Sequence, residues 1–71
     1  MKFNPDLPQI SLFRGKNVIE HGNYLGRSHY EKDCYWACYE YDGELYIALN
    51  SNESDVWEAD EEDIRDYCQV G

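Results

Sequence analysis

Basic residues are scarce in this sequence, and its second half holds almost none. After Lys32 there are twelve Asp or Glu residues and a single base, Arg65, giving −11. Up to Lys32, three acids meet five bases, giving +2. The net charge of −9 is therefore segregated, not spread as a general solubility device. Segregation of one sign bears on partners and steering and says nothing of fold. Nucleic-acid sites need positive charge against the phosphates, so no direct nucleic-acid binding is expected unless Arg14, Lys16, Arg27 and Lys32 gather on one patch.

Other shortages exclude further classes. No apolar run is long enough for a transmembrane helix, so no membrane is expected as a partner. The first residues, MKFNPDLPQ, carry one Lys with no apolar stretch behind it, which is not the pattern of a signal peptide. A cytoplasmic address is the expectation. Only two Pro and five Gly, with no low-complexity tract, argue against disorder. Three cysteines are an odd set and poor material for a disulfide framework, so reduced thiols are expected. With 71 residues the chain makes one small domain, 1–71, burying only about 60% of its unfolded surface.

What the chain does have is aromatic residues, eleven in all, seven of them Tyr. They concentrate in CYWACYEYDGELYIALN, residues 34–50, which has Asp42-Gly43 at its centre. That dipeptide suits a two-residue type I′ turn and predicts a β-hairpin in which paired residues follow directly from the turn. Trp36 then faces Leu49, Cys38 faces Ile47, and Tyr39 faces Tyr46. Side chains alternate along a strand. One face is Cys34, Trp36, Cys38, Leu45, Ile47 and Leu49, the expected core. The other is Tyr35, Ala37, Tyr39, Tyr41, Tyr46, Ala48 and Asn50. A phenol is apolar in its ring and polar at its tip, so this second face is expected to be exposed and to touch a partner.

Elsewhere the pattern is coarser. Residues 1–9 hold both prolines and predict an extended lead-in. ISLF (10–13) and VIE (18–20) predict short strands, HGN (21–23) a turn, and YLGRS (24–28) a continuation of the sheet, with HYEKD (29–33) connecting to the hairpin. DVWEA (55–59) predicts another strand. DEEDIRDYCQ (60–69) predicts a short helix: Asp60 can cap it with Asp63 three places on, and acids in the first turn suit the helix dipole. Ile64, Tyr67 and Cys68 supply an apolar stripe. The expected fold is mainly β (α+β), a small twisted antiparallel sheet or a partly open SH3-like barrel with a short C-terminal helix.

The residue types admit three chemistries. His29, Cys34, Cys38 and Cys68 are the ligand types of tetrahedral zinc, but residues four apart on a strand lie about 13 Å from each other. Bonds of about 2.3 Å cannot bring Cys34 and Cys38 to one ion; no metal or cofactor is expected, and the cysteines are read as core thiols. His21 and His29 are the only histidines and fit no nucleophile motif, so no enzyme is expected. An acidic, aromatic protein-binding surface is the third. Its residues would be Tyr35, Tyr39, Tyr41 and Tyr46 with Glu40, Asp42, Glu44, Glu58, Asp60, Glu61, Glu62, Asp63 and Asp66, and with Glu53 and Asp55 nearby in sequence. Duplex DNA carries one charge per ~1.7 Å of axis, and clustered carboxylates can occupy the same basic groove. The expectation is an inhibitor of a basic partner, a nuclease or nucleic-acid-binding complex. Phage-borne inhibitors of host nucleases or CRISPR complexes, and immunity proteins against toxin nucleases, share this size and charge. Replacing Tyr39 and Tyr46 with Ala is then expected to weaken binding with little loss of fold. The rival expectation is a β-barrel adaptor for a peptide or assembly subunit, its acids incidental; a zinc-stabilised module is the third.

Overall fold

The computed structural model describes residues 7–68, without the side chains of Tyr30 and Glu31. Its elements are α1 (Leu12–His21), β1 (Asn23–Glu31), β2 (Cys34–Tyr41), β3 (Glu44–Leu49), β4 (Val56–Ala59) and α2 (Glu61–Cys68). The four strands form one open antiparallel sheet in the order β1-β2-β3-β4. This is a mainly β α+β domain; the sheet does not close into a barrel. No helix among the described residues is long and apolar enough to cross a membrane.

The hairpin is as its turn dictates. Asp42 and Gly43 both take positive φ, 53° and 80°, as a type I′ turn requires. The register follows: Trp36 pairs with Leu49, Cys38 with Ile47, Tyr39 with Tyr46 and Tyr41 with Glu44. Past Leu49 the ladder is continued by Asn50, whose backbone N–H donates to the Tyr35 carbonyl and whose Oδ1 accepts from the Tyr35 N–H. Asn50 and Ser51 both sit at φ 55°, a left-handed turn closed by the Asn52 N–H on the Leu49 carbonyl. This turn brings the chain back as β4, which pairs with β3 from Ala48↔Val56 to Leu45↔Ala59.

Of the expected strands at 10–13 and 18–20, residues 12–13 and 18–20 belong instead to α1, while Ile10 keeps an extended pairing with Val56 and Ser11 is the helix cap. The HYE of the expected connector lies within β1. Ser11 caps the helix by accepting from the Arg14 N–H at 3.3 Å. Gly15, Val18 and Ile19 form the inward stripe at i, i+3 and i+4, with Gly15 and Val18 buried. Gly15 is needed for the close approach: a Cβ there would run into the Glu53 backbone carbonyl and meet the Val56 side chain at 3.3 Å. Gly15→Ala is expected to destabilise the domain by roughly 1–3 kcal/mol, because backbone must shift to admit the methyl. A urea titration reads the loss, and an unchanged midpoint would mean the helix stands further off.

Each face of the sheet is covered. Against α1, Val18 packs with Ala37, Tyr39, Tyr46, Ala48 and Val56, flanked by Ile10, Ile19, Tyr35 and Tyr41. Against α2, Ile64, Tyr67 and Cys68 pack on Trp36, Cys38 and Ile47, with Leu45, Leu49, Trp57 and Ala59 at the margin. The Trp36 ring makes edge contacts with Trp57 and Tyr67 at centroid distances of 5.6 and 5.3 Å. Asp60 and Asp63 close a reciprocal capping box on α2: Asp60 Oδ1 accepts from the Asp63 N–H at 2.8 Å, and Asp63 Oδ2 from the Asp60 N–H at 3.1 Å. The helix therefore starts where expected; the last residue of the expected span, 69, lies outside the described residues, as do 1–6 of the lead-in.

The expectation of reduced cysteines is corrected. Cys38 and Cys68 form a disulfide between β2 and α2 with their Cα atoms 6.2 Å apart, and only Cys34 is free. The pairing was hidden in the sequence because 30 residues separate the two, and it takes the register of β2 and the docking of α2 to bring them together. Two of the three sulfurs that the zinc reading would have used are taken by this bond.

Candidate partner-binding surface

The tyrosine face is not the exposed platform expected of it. Tyr39 is 6% exposed and Tyr46 fully buried, with Ala37 and Ala48 sealed between them; Tyr35 and Tyr41 are half-buried. The pairing of the strands is as expected; what differs is that α1 lies across this face. The phenol tips are satisfied internally. Tyr35 and Tyr39 both donate to Ser51 Oγ, at 3.1 and 3.0 Å. Tyr46 OH accepts from Arg14 Nε at 3.0 Å and from a terminal guanidinium nitrogen, and the guanidinium also lies 5.6 Å from the Tyr46 ring centre. The Tyr46 hydrogen bond, helped by the field of Glu58 and Glu44, raises the Arg14 pKa above its ordinary value. Arg14 is thereby committed to the fold. Tyr39 and Tyr46 are withdrawn from the partner-binding set.

The carboxylates divide by position. Glu40, Asp42 and Glu44 surround the β2–β3 turn. The Leu45↔Ala59 pair sets Asp60 level with Glu44, so the start of α2, with Glu61 and Glu62, stands at the same end of the sheet. Glu58 is on β4 beside Tyr46 and half-buried. Asp42, Glu44, Asp60, Glu61 and Glu62 are exposed; Asp63 is half-buried. Asp66 is exposed but further along α2, and Glu53 and Asp55 belong to the β3–β4 loop at the other end. Glu20, at the end of α1, joins the acidic end, because Gly22 packs against the Glu40 carbonyl and Tyr41. The one ion pair among the described residues is Glu20 with His21, 3.9 Å apart and charged only when the imidazole is protonated. The other acids of this end therefore have no ion-pair partner among the described residues.

The four bases named in the sequence do not make one patch. Arg14 is on Tyr46; Lys16 is exposed on α1; Arg27 and Lys32 belong to β1 and its turn. There Arg27, His29, Asp33, Cys34 and Tyr35 line an open cleft of about 340 Å³, with the Arg27 guanidinium 5.0 Å from the Tyr35 ring centre. Among the described residues no hydrogen bond joins His29 to Cys34 or to Asp33. The Cys34 sulfur instead sits 3.8 Å from Asn50 Nδ2.

Sequence reasoning missed Tyr24 and Leu25 of β1, which are 56% and 38% exposed, and Leu12 and Phe13 at the start of α1, more exposed still. Nothing in composition marks them as surface, because exposure here depends on where α1 crosses the sheet. Compared with protein-family models, curated proteins and solved structures, the chain matches none.

Proposed function

We propose that the chain is a non-enzymatic, acidic binding protein that blocks a basic nucleic-acid-handling partner, in the manner of a phage anti-defence inhibitor, anti-CRISPR proteins among them, or a nuclease immunity protein. The observation that supports it is the gathering of Glu40, Asp42, Glu44, Asp60, Glu61 and Glu62 at one end of the sheet, in no ion pair among the described residues. Carboxylates there would occupy Arg and Lys sites that otherwise hold phosphate, and opposite fields would speed the encounter. Tyr41, half-buried beside the turn, is the one tyrosine of the expected set placed to add contact area at that end. The proposed setting is the cytoplasm, where burial of both sulfurs would shield the Cys38–Cys68 bond from thiol exchange.

The test compares the native chain with the triple variant Glu40→Gln, Asp42→Asn, Glu44→Gln in affinity capture from a host lysate. Capture of a basic protein by the native chain is expected to fall steeply with salt, to be displaced by duplex DNA, and to drop about tenfold or more in the variant. Capture indifferent to both salt and duplex would sink this reading and favour the peptide adaptor.

A further inference from the structure

The chain treats the two edges of its sheet differently. The outer edge of β4 is covered by residues 8–10: the Ile10 N–H donates to the Val56 carbonyl at 3.0 Å, the Glu58 N–H to the Pro8 carbonyl at 2.8 Å, and Gln9 bridges Trp57. The outer edge of β1, nine residues long, is paired with nothing among the described residues. An open edge offers its outward N–H and C=O groups to any extended chain.

β1 limits what can pair there. The register slips at Leu25 and again between His29 and Glu31, with Gly26 at φ 146°, which leaves Gly26–His29 as the regular run. Such bulges twist an edge away from indiscriminate pairing. Beside the run, Tyr24 and Leu25 stand exposed, and the Tyr24 ring is held edge-on to Tyr39 at 5.6 Å. The same end of β1 adjoins the acidic end: Asn23 Nδ2 donates to Glu40 Oε1 at 2.8 Å, and Glu20 lies three residues before Asn23. Arg27, at the middle of the run, disfavours a cation directly opposite.

From this we infer that β1 accepts, as a fifth antiparallel strand, an extended segment of the basic partner whose Lys or Arg residues fall at its C-terminal end. This inference rests on the proposed function. An antiparallel strand ends beside Asn23, where Tyr24 and Leu25 cover its side chains and Glu20, Glu40 and Asp42 face its cations. A second copy of the chain is the poorer occupant. Antiparallel pairing of two β1 strands about the regular run sets Arg27 opposite Arg27 or His29 of the other copy, and each copy carries −9.

The test is hydrogen exchange on the full chain with two nine-residue Thr/Val peptides, one ending in two Lys and the other in two Glu. The Lys peptide is expected to slow exchange of the outward amides of 23–31 by about tenfold, and the Glu peptide to leave them unchanged. The variant Tyr24→Lys, Leu25→Lys, both positions being exposed, should lose that protection while staying folded, its melting temperature falling by no more than about 10 °C for the lost Tyr24–Tyr39 ring contact. No protection at millimolar Lys peptide overturns the inference, as does equal protection by both peptides. Protection that needs no peptide and grows with protein concentration overturns it in favour of a second copy. If capture stays sensitive to salt and duplex while β1 stays unprotected, only the fifth strand fails. Protection of β1 with capture indifferent to both sinks the inhibitor reading instead.

Discussion

Tyr46→Ala is expected to remove most of the protein's stability, whereas Tyr46→Phe should cost little. Tyr46 is fully buried beneath α1, in the cluster with Val18, Ala37, Tyr39, Ala48 and Val56. Truncating a buried aromatic costs about 3–5 kcal/mol, from lost transfer energy and the cavity left behind. A chain of 71 residues holds roughly 4–11 kcal/mol in all at ordinary per-residue stability. The Phe variant keeps the ring and loses only the oxygen that accepts from Arg14. Because Arg14 is exposed and can turn to water, that loss should be about 1 kcal/mol. Adding Tyr39→Ala to Tyr46→Ala should leave no folded population. Urea melts followed by circular dichroism read all three. A Tyr46→Ala protein that loses under 1 kcal/mol would mean α1 does not cover this face in solution.

That prediction reverses the one drawn from sequence, and the reason is instructive. The hairpin was legible because Asp42-Gly43 admits essentially one turn, and the turn then sets every cross-strand pair. The α2 helix was legible because its cap, its first-turn acids and its apolar stripe agree. What misled was the meaning of apolar residues on both parities. A strand rich in apolar side chains at successive positions is a strand buried on two faces. Ala37 and Ala48, paired across the hairpin between the tyrosines, marked the place where a helix could lie close.

The covering helix was harder to see. Its inward stripe is Gly15, Val18 and Ile19, short and begun by a residue poorly suited to a helix interior. RGKN at 14–17 reads locally as a turn, and only contact with Glu53 and Val56 makes Gly15 an asset. Of the candidate surface, the charge segregation was legible and the loss of Tyr39 and Tyr46 was not. Acids at 40–44 and 60–62 meet because β4 pairs back on β3, which is tertiary knowledge.

The Cys38–Cys68 bond should carry the next largest share of stability, and its removal is the second decisive test. It joins the centre of β2 to the last turn of α2, closing a loop of 30 residues, and both cysteines are essentially buried. In the chain-entropy account a loop of that length is worth about 3–4 kcal/mol, through the unfolded state it constrains. For so small a domain this corresponds to a fall in melting temperature of roughly 15–30 °C. α2 has only eight residues, too few to persist without packing on the sheet. Reduction should therefore free α2 before it unfolds the hairpin, uncovering Trp36, which is 1% exposed. The reduced thiol of Cys68 has the Trp36 carbonyl oxygen at 3.6 Å, so it gains an acceptor and adds no unpaired buried donor. The Cys38→Ala, Cys68→Ala variant should therefore match the reduced protein closely. Thermal melts with and without reductant, followed by tryptophan fluorescence, test this. Equal melting temperatures for oxidised, reduced and double-alanine proteins would show that Ile64 and Tyr67 hold α2 unaided and that the bond is dispensable.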